Sequence, residues 1–274
     1  MAITAADVNK LRQQTGAGMM DCKNALVEAN GDFEAAIDIL RKKGQKVAAN
    51  RADKEAKEGY ILAKTNVDAS KGYLVALSCE TDFVAKSADF VKFADDLVNV
   101  AVSSNASSID DLKSQKMGDL TVADKLFDII GKIGEKIDIT SYEVIDAPKV
   151  VIYIHPGNKV VSMVGMSSGS ASSDIAKDVA MQIAAMNPVA IDKDDVDVRT
   201  LEREIEIGKE QARAEGKPEE MLEKIAQGKL NKFYKENTLL NQQFIKDDKV
   251  DIRTYLDKTE KGLTVKVFRR IQIG

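Results

Sequence analysis

The chain has 274 residues, of which 31% are charged and 44% hydrophobic, a composition that is ordinary for a globular protein. Its formal net charge of −4 argues against nucleic acid or membrane lipid as the main partner. No apolar run approaches the length of a membrane span, and residues 1–7 lack the basic and apolar regions of a signal peptide. The two cysteines, Cys22 and Cys79, lie in apolar patterns. We therefore expect buried free thiols in a cytoplasmic protein.

Residues 1–50 predict a module of three short helices. Apolar residues at helical spacing form three groups, which breaks at 16–18 and 30–32 separate. The groups are Ile3, Val8 and Leu11; Met19, Cys22, Ala25 and Leu26; and Phe33, Ala36, Ile37 and Leu40. A module this small buries little apolar surface and usually serves as a docking unit. Residues 51–57 are polar with no apolar stripe, so we interpret them as a linker.

The remainder carries a duplicated strand–strand–helix–strand pattern, which predicts an α+β fold with two related subdomains, 58–146 and 147–274. The first has predicted strands at 60–65, 73–79 and 137–144 and helices at 87–102 and 122–133; the second has strands at 149–154, 159–166 and 264–272 and a helix at 175–186. Each subdomain should pack its helices on one face of a small antiparallel sheet.

An insertion at about 196–236 interrupts the second subdomain. Its two apolar stripes are separated by Gly216-Lys217-Pro218, a helix stop followed by a proline that can start the next helix. The pattern predicts a protruding antiparallel hairpin of two helices, a short coiled coil.

The chain turns a corner at Thr81–Lys86, between a short apolar strand and an amphipathic helix. Corners of this kind lie at the surface and often carry function. Asp82 and Phe83 place a carboxylate beside an aromatic ring, which suits insertion into a partner's pocket. The residue pattern alone favours a plainer structure, in which Thr81 or Asp82 caps the helix and Phe83 packs inward.

No motif for catalysis, for phosphate binding or for a metal site is present in the sequence. His155 is the only histidine, and Pro156 and Gly157 follow it at the central positions of a type II turn. We interpret the segment as a hairpin turn; contact with a partner is an open alternative, and a catalytic role is disfavoured. We therefore predict that the protein is not an enzyme and needs no cofactor or metal.

Two other features have both a structural and a functional interpretation. Of Met19 and Met20, we expect one to face the small core, while the other either fills a gap or contacts a partner. The pair Ile133-Gly134 is first interpreted as the end of a helix, with glycine at the stop.

Five segments, in order along nearly the whole chain, resemble the elongation factor Ts family of bacterial translation factors. They are Leu11–Leu26 (LRQQTGAGMMDCKNAL), Cys79–Lys86 (CETDFVAK), Lys132–Glu135 (KIGE), Ile175–Pro188 (IAKDVAMQIAAMNP) and Leu239–Phe244 (LLNQQF). Any one of these segments is a weak signal, whereas the five together are highly specific.

The resemblance implies a guanine-nucleotide exchange factor. Such a factor binds the GTPase elongation factor Tu in its GDP form, as a heterodimer or higher assembly, and promotes GDP release by disturbing the Mg²⁺ and phosphate site. The resemblance also implies that the amino-terminal module is like a ubiquitin-associated domain. The alternative function is a non-catalytic GTPase-binding adaptor in translation, which would bind the GTPase without changing the GDP off-rate.

The resemblance also implies which residues contact the GTPase. The corner segment, which we define as Thr81, Asp82, Phe83 and Val84, would intrude near the Mg²⁺ site. The other implied contacts are Arg12, Met19 and Met20, which would grip the nucleotide-binding domain; Ile133 and Gly134, which would support the intrusion; and His155, which would touch the GTPase elsewhere.

The chain departs from the family pattern at two places. Some members continue past the last strand into a carboxy-terminal helical module, whereas this chain ends at Gly274, so we expect the contacts of that module to be missing. Gln182 stands where members often have histidine, and we expect this change to be harmless.

Overall fold

The computed structural model describes residues 3–274; Met1 and Ala2, which the predicted module includes, lie outside the described residues. The chain begins with α1 (Ala5–Thr15), α2 (Met19–Glu28) and α3 (Phe33–Asn50). Thr4 starts α1 because its side chain accepts the N–H of Asp7, while the Asp7 carboxylate accepts the N–H of Thr4. Gly16 ends α1 at a φ of +69°, where glycine is favoured. The core of this helical module consists of Val8, Leu11, Cys22, Ala25, Leu26 and Ala36.

The first subdomain forms a three-stranded sheet with its helices between the second and third strands. Its elements are β1 (Glu58–Thr65), β2 (Lys71–Cys79), α4 (Asp82–Ala85), α5 (Ala88–Ser104), α6 (Ile109–Ser114), β3 (Lys116–Met117), β4 (Leu120–Thr121), α7 (Val122–Ile133) and β5 (Asp138–Asp146). The order across the sheet is β1-β2-β5, and both pairings are antiparallel.

The second subdomain repeats this arrangement. Its elements are β6 (Lys149–Ile154), β7 (Val160–Met166), α8 (Ser173–Met186), α9 (Val198–Ala214), α10 (Glu219–Asn237), β8 (Gln243–Phe244), β9 (Asp247–Asp251), α11 (Ile252–Thr259) and β10 (Val265–Gln272). The order β6-β7-β10 again places the second strand in the centre, with antiparallel neighbours. The predicted α+β class with two small antiparallel sheets is confirmed.

The two three-stranded sheets pack against each other. Nine buried residues form the layer between them: Ile61, Ala63, Leu74, Ala76, Ile145, Ala147, Val150, Val161 and Met163. The opposite face of β2 packs against α5 and α7 through Tyr73, Val75 and Leu77. Because β2 is covered on both faces, its sequence is apolar throughout instead of alternating.

The predicted helical hairpin is present as α9 and α10. Gly208 allows their close approach, since a Cβ at this position would stand 3.2 Å from the Cα of Ala226. Gly216, at a φ of +73°, makes the turn, and Pro218 precedes the first residue of α10. Ion pairs between the two helices, such as Lys209 Nζ to Glu223 Oε2 at 2.6 Å, lie on the solvated surface.

The sequence pattern missed the short elements, which are α6, the β3–β4 hairpin, the β8–β9 hairpin and α11. Each has only two to eight residues, so the hydrophobic pattern within it is short and easily missed.

Gln182 helps to hold the β8–β9 hairpin. Although fully buried, its Nε2 donates to the Gln243 carbonyl at 3.0 Å, and its Oε1 accepts the Ile245 N–H at 2.9 Å. Glutamine is therefore fully hydrogen-bonded at this position.

The layer between the sheets should be the most sensitive part of the fold to a loss of side-chain volume. Met163→Ala should lower the free energy of unfolding by about 2–5 kcal/mol, because Met163 is fully buried and its truncation leaves a cavity between the sheets. Met221 lies on the hairpin and is exposed, so Met221→Ala is the matched control and should change the free energy of unfolding by less than about 0.5 kcal/mol. Urea unfolding curves of both variants measure the difference, and equal losses would contradict this account.

Candidate functional site

The corner segment forms the start of a one-turn helix directly after the central strand β2. Thr81 has extended backbone angles and caps α4, where its side-chain oxygen accepts the N–H of Val84 at 3.4 Å. Thr81 was expected to cap the amphipathic helix after the corner, but that helix, α5, is capped by Ser87, and Thr81 caps the separate turn α4. Val84 packs partly against the core and Ala85 is buried, so one side of the turn is anchored.

Phe83 points away from the core, contrary to the inward packing that the residue pattern favours. Its exposed fraction is 82%, the second largest among the exposed large hydrophobic residues. The reason is that α4 has only four residues, and Val84 and Ala85 occupy its core-facing side. Every other phenylalanine and tyrosine in residues 3–274 is buried or partly buried, so Phe83 stands out as an aromatic ring that lies mostly in solvent. Aromatic side chains are enriched among the residues that dominate protein–protein binding.

Glu135 holds the base of the corner segment. Its carboxylate accepts three hydrogen bonds: from the Glu80 N–H at 3.1 Å, from the Thr81 N–H at 3.1 Å and from the Thr81 hydroxyl at 2.7 Å. One side chain therefore satisfies every donor at the point where β2 ends and α4 has not yet begun. This residue follows Gly134, so the end of α7 is tied to the corner segment.

Glu80 makes the reciprocal connection. Its Oε1 accepts the backbone N–H of Lys136 at 2.6 Å, and Arg51 donates to both of its carboxylate oxygens at 2.8 Å. Burial by itself would raise the pKa of Glu80, but these hydrogen bonds and the Arg51 charge outweigh it and lower the pKa below its usual value. The carboxylate is therefore ionised at neutral pH and keeps its role as an acceptor.

Asp82 lies beside Phe83 at the surface. Lys86 donates a hydrogen bond to it at 2.7 Å, which lowers the pKa of Asp82, and the positive charge of Lys159 contributes in the same direction. Lys159 in turn pairs with Glu58 at 2.6 Å, at the first residue of β1. An exposed carboxylate flanked by lysines is available to exchange these partners for polar groups of a bound protein.

Cys79 is the last residue of β2 and lies under the corner. Its thiol is fully buried and donates to the Thr81 carbonyl at 3.2 Å. Burial, and then the negative charge of Glu135, raise its pKa to about 12, so the thiol stays protonated and unreactive. The expectation of buried free thiols is confirmed for both cysteines.

Ile133 and Gly134 end α7, as the pattern predicts. Gly134 has a φ of +81°, and its N–H donates to the Ile130 carbonyl at 2.8 Å. Ile133 packs partly against the core of the first subdomain. The structure thus brings this pair together with the corner segment, because Glu135 follows them immediately.

His155 occupies the predicted type II turn between β6 and β7. The Asn158 N–H donates to its carbonyl at 3.0 Å, and Gly157 has a φ of +92°. The imidazole is exposed, and its Nδ1 lies 3.1 Å from the Tyr153 hydroxyl. The turn docks on β1, since Ile61 and Asn158 exchange hydrogen bonds of 2.8 and 3.1 Å.

Arg12, Met19 and Met20 are all exposed on the helical module. Both methionines are exposed, with fractions of 55% and 64%, so the expectation that one of them faces the small core is wrong. Cys22, Ala25 and Leu26 fill the core-facing side of α2 and leave no place for either methionine. Within residues 3–274, no hydrogen bond or ion pair joins these three residues to the corner segment.

The residues that sequence reasoning missed are the supports of the corner, Glu135, Glu80, Arg51 and Lys136. Glu80 and Glu135 lie in two of the five family-like segments, next to the predicted contact residues Thr81 and Gly134. Their pairing joins positions 55 apart, and no local period reveals such a contact.

The described residues contain no group of three or more His, Cys, Asp or Glu side chains that could hold a metal ion. Among residues 3–274, no helix is both long enough and apolar enough to span a membrane.

Comparison with known proteins gives one consistent family. The family model described as Elongation factor TS matches residues 80–274, which include the corner segment and its supports from Glu80 onward. Proteins named Elongation factor Ts from Cytophaga hutchinsonii and Amoebophilus asiaticus are 57% and 52% identical to this chain; the first match covers 99% of each chain and the second 100%. One from Christiangramia forsetii is 51% identical, again over 99% of each chain.

Phe83 and Phe90, seven positions apart, provide a direct test of the exposed ring. Phe83→Ala should change the free energy of unfolding by less than about 0.5 kcal/mol, because the ring makes little contact with the core. Phe90→Ala, which removes a fully buried ring, should cost about 3–5 kcal/mol. Chemical denaturation of the two variants measures both values, and a large loss for Phe83→Ala would place that ring in the core.

Glu135 should contribute to stability through the corner alone. Glu135→Ala leaves the N–H groups of Glu80 and Thr81 without their acceptor and should cost about 1–3 kcal/mol. Glu210→Ala, an exposed glutamate on α9, is the control and should change stability by less than about 0.5 kcal/mol. Amide hydrogen exchange should also accelerate at Glu80 and Thr81 in the first variant; unchanged protection there would contradict the assigned role.

Proposed function

The chain belongs to the elongation factor Ts family and acts in translation elongation, and we propose that it promotes GDP release from the GTPase elongation factor Tu. The observation that carries this proposal is the corner segment, where Phe83 is held exposed on a turn that Glu135 fixes from beneath. On this account the protein forms and breaks no covalent bond. It stabilises the nucleotide-free GTPase in a heterodimer or higher assembly.

The energy of the exchange step comes from differential binding. Phe83 enters an apolar pocket of the GTPase, and burying a phenylalanine side chain contributes about 1.5–3 kcal/mol. If that pocket forms only when GDP and its Mg²⁺ are displaced, then the factor weakens GDP binding by the same ratio by which GDP weakens factor binding. The fixed base of the corner segment supports this step, because a ring that is already positioned loses little entropy on insertion.

Asp82 engages polar groups near the Mg²⁺ site of the GTPase after releasing Lys86. Displacement of the metal removes a large local positive charge, and the GDP phosphates are then held less tightly. Thr81 and Val84 keep the turn anchored, and Ile133 and Gly134 support it through the adjoining Glu135.

The helical module supplies binding energy away from the corner. Exposed methionines such as Met19 and Met20 adapt to the shape of a partner surface, and Arg12 adds a charged contact with the nucleotide-binding domain. His155 contacts the GTPase elsewhere. The domain boundaries that go with this proposal are 1–50 for the module, 51–57 for the linker, and 58–146 and 147–274 for the two subdomains.

The test is release of a fluorescent GDP analogue from purified elongation factor Tu of a matched bacterium. The wild-type protein should accelerate release strongly, and the Asp82→Ala/Phe83→Ala double variant should lose about 30-fold or more of that effect, the loss expected for hot-spot residues worth about 2 kcal/mol. The variant must first match the wild type in a melting curve.

Val67→Ala is the matched control for this experiment. Val67 is fully exposed at the turn between β1 and β2, at the opposite end of that strand pair from the corner. Its replacement should leave the exchange rate unchanged. Binding of the wild-type protein without faster GDP release would instead identify a GTPase-binding adaptor.

A further inference from the structure

Helix α3 belongs to two hydrophobic clusters at once. In its first half, Ala36 and Leu40 complete the small core of the helical module. In its second half, Val47 and Ala48 pack against the core of the first subdomain. A single uninterrupted helix of 18 residues therefore connects the module with the body of the protein.

The contact between α3 and α7 depends on two glycines that face each other. A Cβ at Gly44 would stand 2.2 Å from the Phe127 carbonyl oxygen, a backbone atom that cannot move without displacing α7. A Cβ at Gly131 would stand 3.1 Å from the Cα of Gly44. Glycine inside a helix is unfavourable relative to alanine, so its presence at both positions of one crossing indicates that close approach is the property required.

The chain that follows α3 is also held. Arg51 is bonded to Glu80 at the base of the corner, and Lys136 Nζ donates to the Ala52 and Lys54 carbonyls at 2.6 and 3.0 Å. The residues that leave the module are thus tied to the same supports that hold Thr81. Rotation of the module about residues 51–57 would break these bonds and the glycine crossing together.

We propose that the Gly44–Gly131 crossing is a positioning device that sets the distance between the two surfaces that contact the GTPase. One surface carries Met19 and Met20, and the other carries Phe83. This inference rests on the proposed function, because it requires both surfaces to engage the same partner. Gly44 and Gly131 act by fixing the orientation of α3 on α7.

A fixed distance matters because, once one surface has bound the GTPase, the other surface is already in position to bind. If the docked arrangement is populated only to a fraction f, the apparent dissociation constant rises by 1/f. A docked fraction of about 0.1 would raise the concentration of factor that gives half-maximal exchange by about tenfold. The maximal rate at saturation would stay unchanged, because every bound molecule is docked.

The experiment compares Gly44→Ala and Gly131→Ala with Gly228→Ala. Gly228 lies in α10, and a Cβ at this position would have no atom within 4 Å. Its replacement therefore shows the effect of changing glycine to alanine in a helix where no clash results. Spin labels at Glu28→Cys and Asp110→Cys, exposed positions on the module and the first subdomain, report their separation. Both native thiols are buried and do not compete for the label.

We expect the wild type and Gly228→Ala to show one narrow distance distribution and the same half-maximal concentration for release of fluorescent GDP. Gly44→Ala should broaden the distribution and raise that concentration about tenfold at an unchanged maximal rate. Gly131→Ala, which introduces a milder contact, should change the distance distribution and the half-maximal concentration in the same direction. If the melting curve shows that Gly44→Ala does not fold, Gly131→Ala serves as the test variant.

A narrow distribution in both crossing variants would overturn the role of the glycines in docking. A broadened distribution with unchanged half-maximal concentration would overturn their role in exchange. Failure of the wild type itself to accelerate GDP release would be a failure of the proposed function, and the distance measurement would still decide whether the glycines hold the module in place.

Discussion

The apolar layer between the two three-stranded sheets is the constraint on which the rest of the structure depends. Gly72 and Gly165 show how closely the sheets approach, since a Cβ at either position would stand 2.7 Å or less from a side chain across the layer. With this face occupied, the helices of each subdomain can cover only the outer face. The central strand β2 is thereby enclosed on both sides, and the corner segment begins where that strand ends.

This placement explains how a protein can keep a large aromatic ring in water at a defined position. An exposed ring on a long loop would sample many positions, and ordering it on binding would cost free energy. Here Cys79 is buried beneath the turn, and Glu135 takes up the free donors of Glu80 and Thr81. Only the side chain of Phe83 is left to be ordered on binding, so most of the free energy gained by burying this ring contributes to the affinity for the partner.

The regular elements were predictable from the sequence because the long helices repeat a hydrophobic period over several turns, and the buried strands form short apolar runs bounded by polar turns. Helix α7, predicted at 122–133, begins and ends at those residues in the structure, and β6 likewise spans 149–154. The direction of Phe83 was not predictable, because in a single helical turn nothing in the local pattern says which residue faces the core. The same limit applies to Met19 and Met20, where neighbouring residues on α2 had already filled the small core.

The residues that support the corner segment could not be predicted from local sequence patterns, and the reason is different. The bond between Glu135 and Thr81, and that between Arg51 and Glu80, join residues 54 and 29 positions apart. Such pairs are set by how β2, α7 and the end of α3 meet. The family-like segments include Glu80 and Glu135, but only the three-dimensional arrangement shows that these partly buried carboxylates support the exposed ring of Phe83.

The turn at His155 has a consequence for the solubility of the whole molecule. Strand β1 lies at the edge of its sheet, where unpaired backbone groups can recruit a strand from another chain. Asn158 closes that edge at Ile61 by taking up both its N–H and its carbonyl. The second subdomain therefore blocks the edge of the first sheet at this position, and a chain that lost this turn would expose an unpaired N–H and carbonyl there, which another chain could pair with.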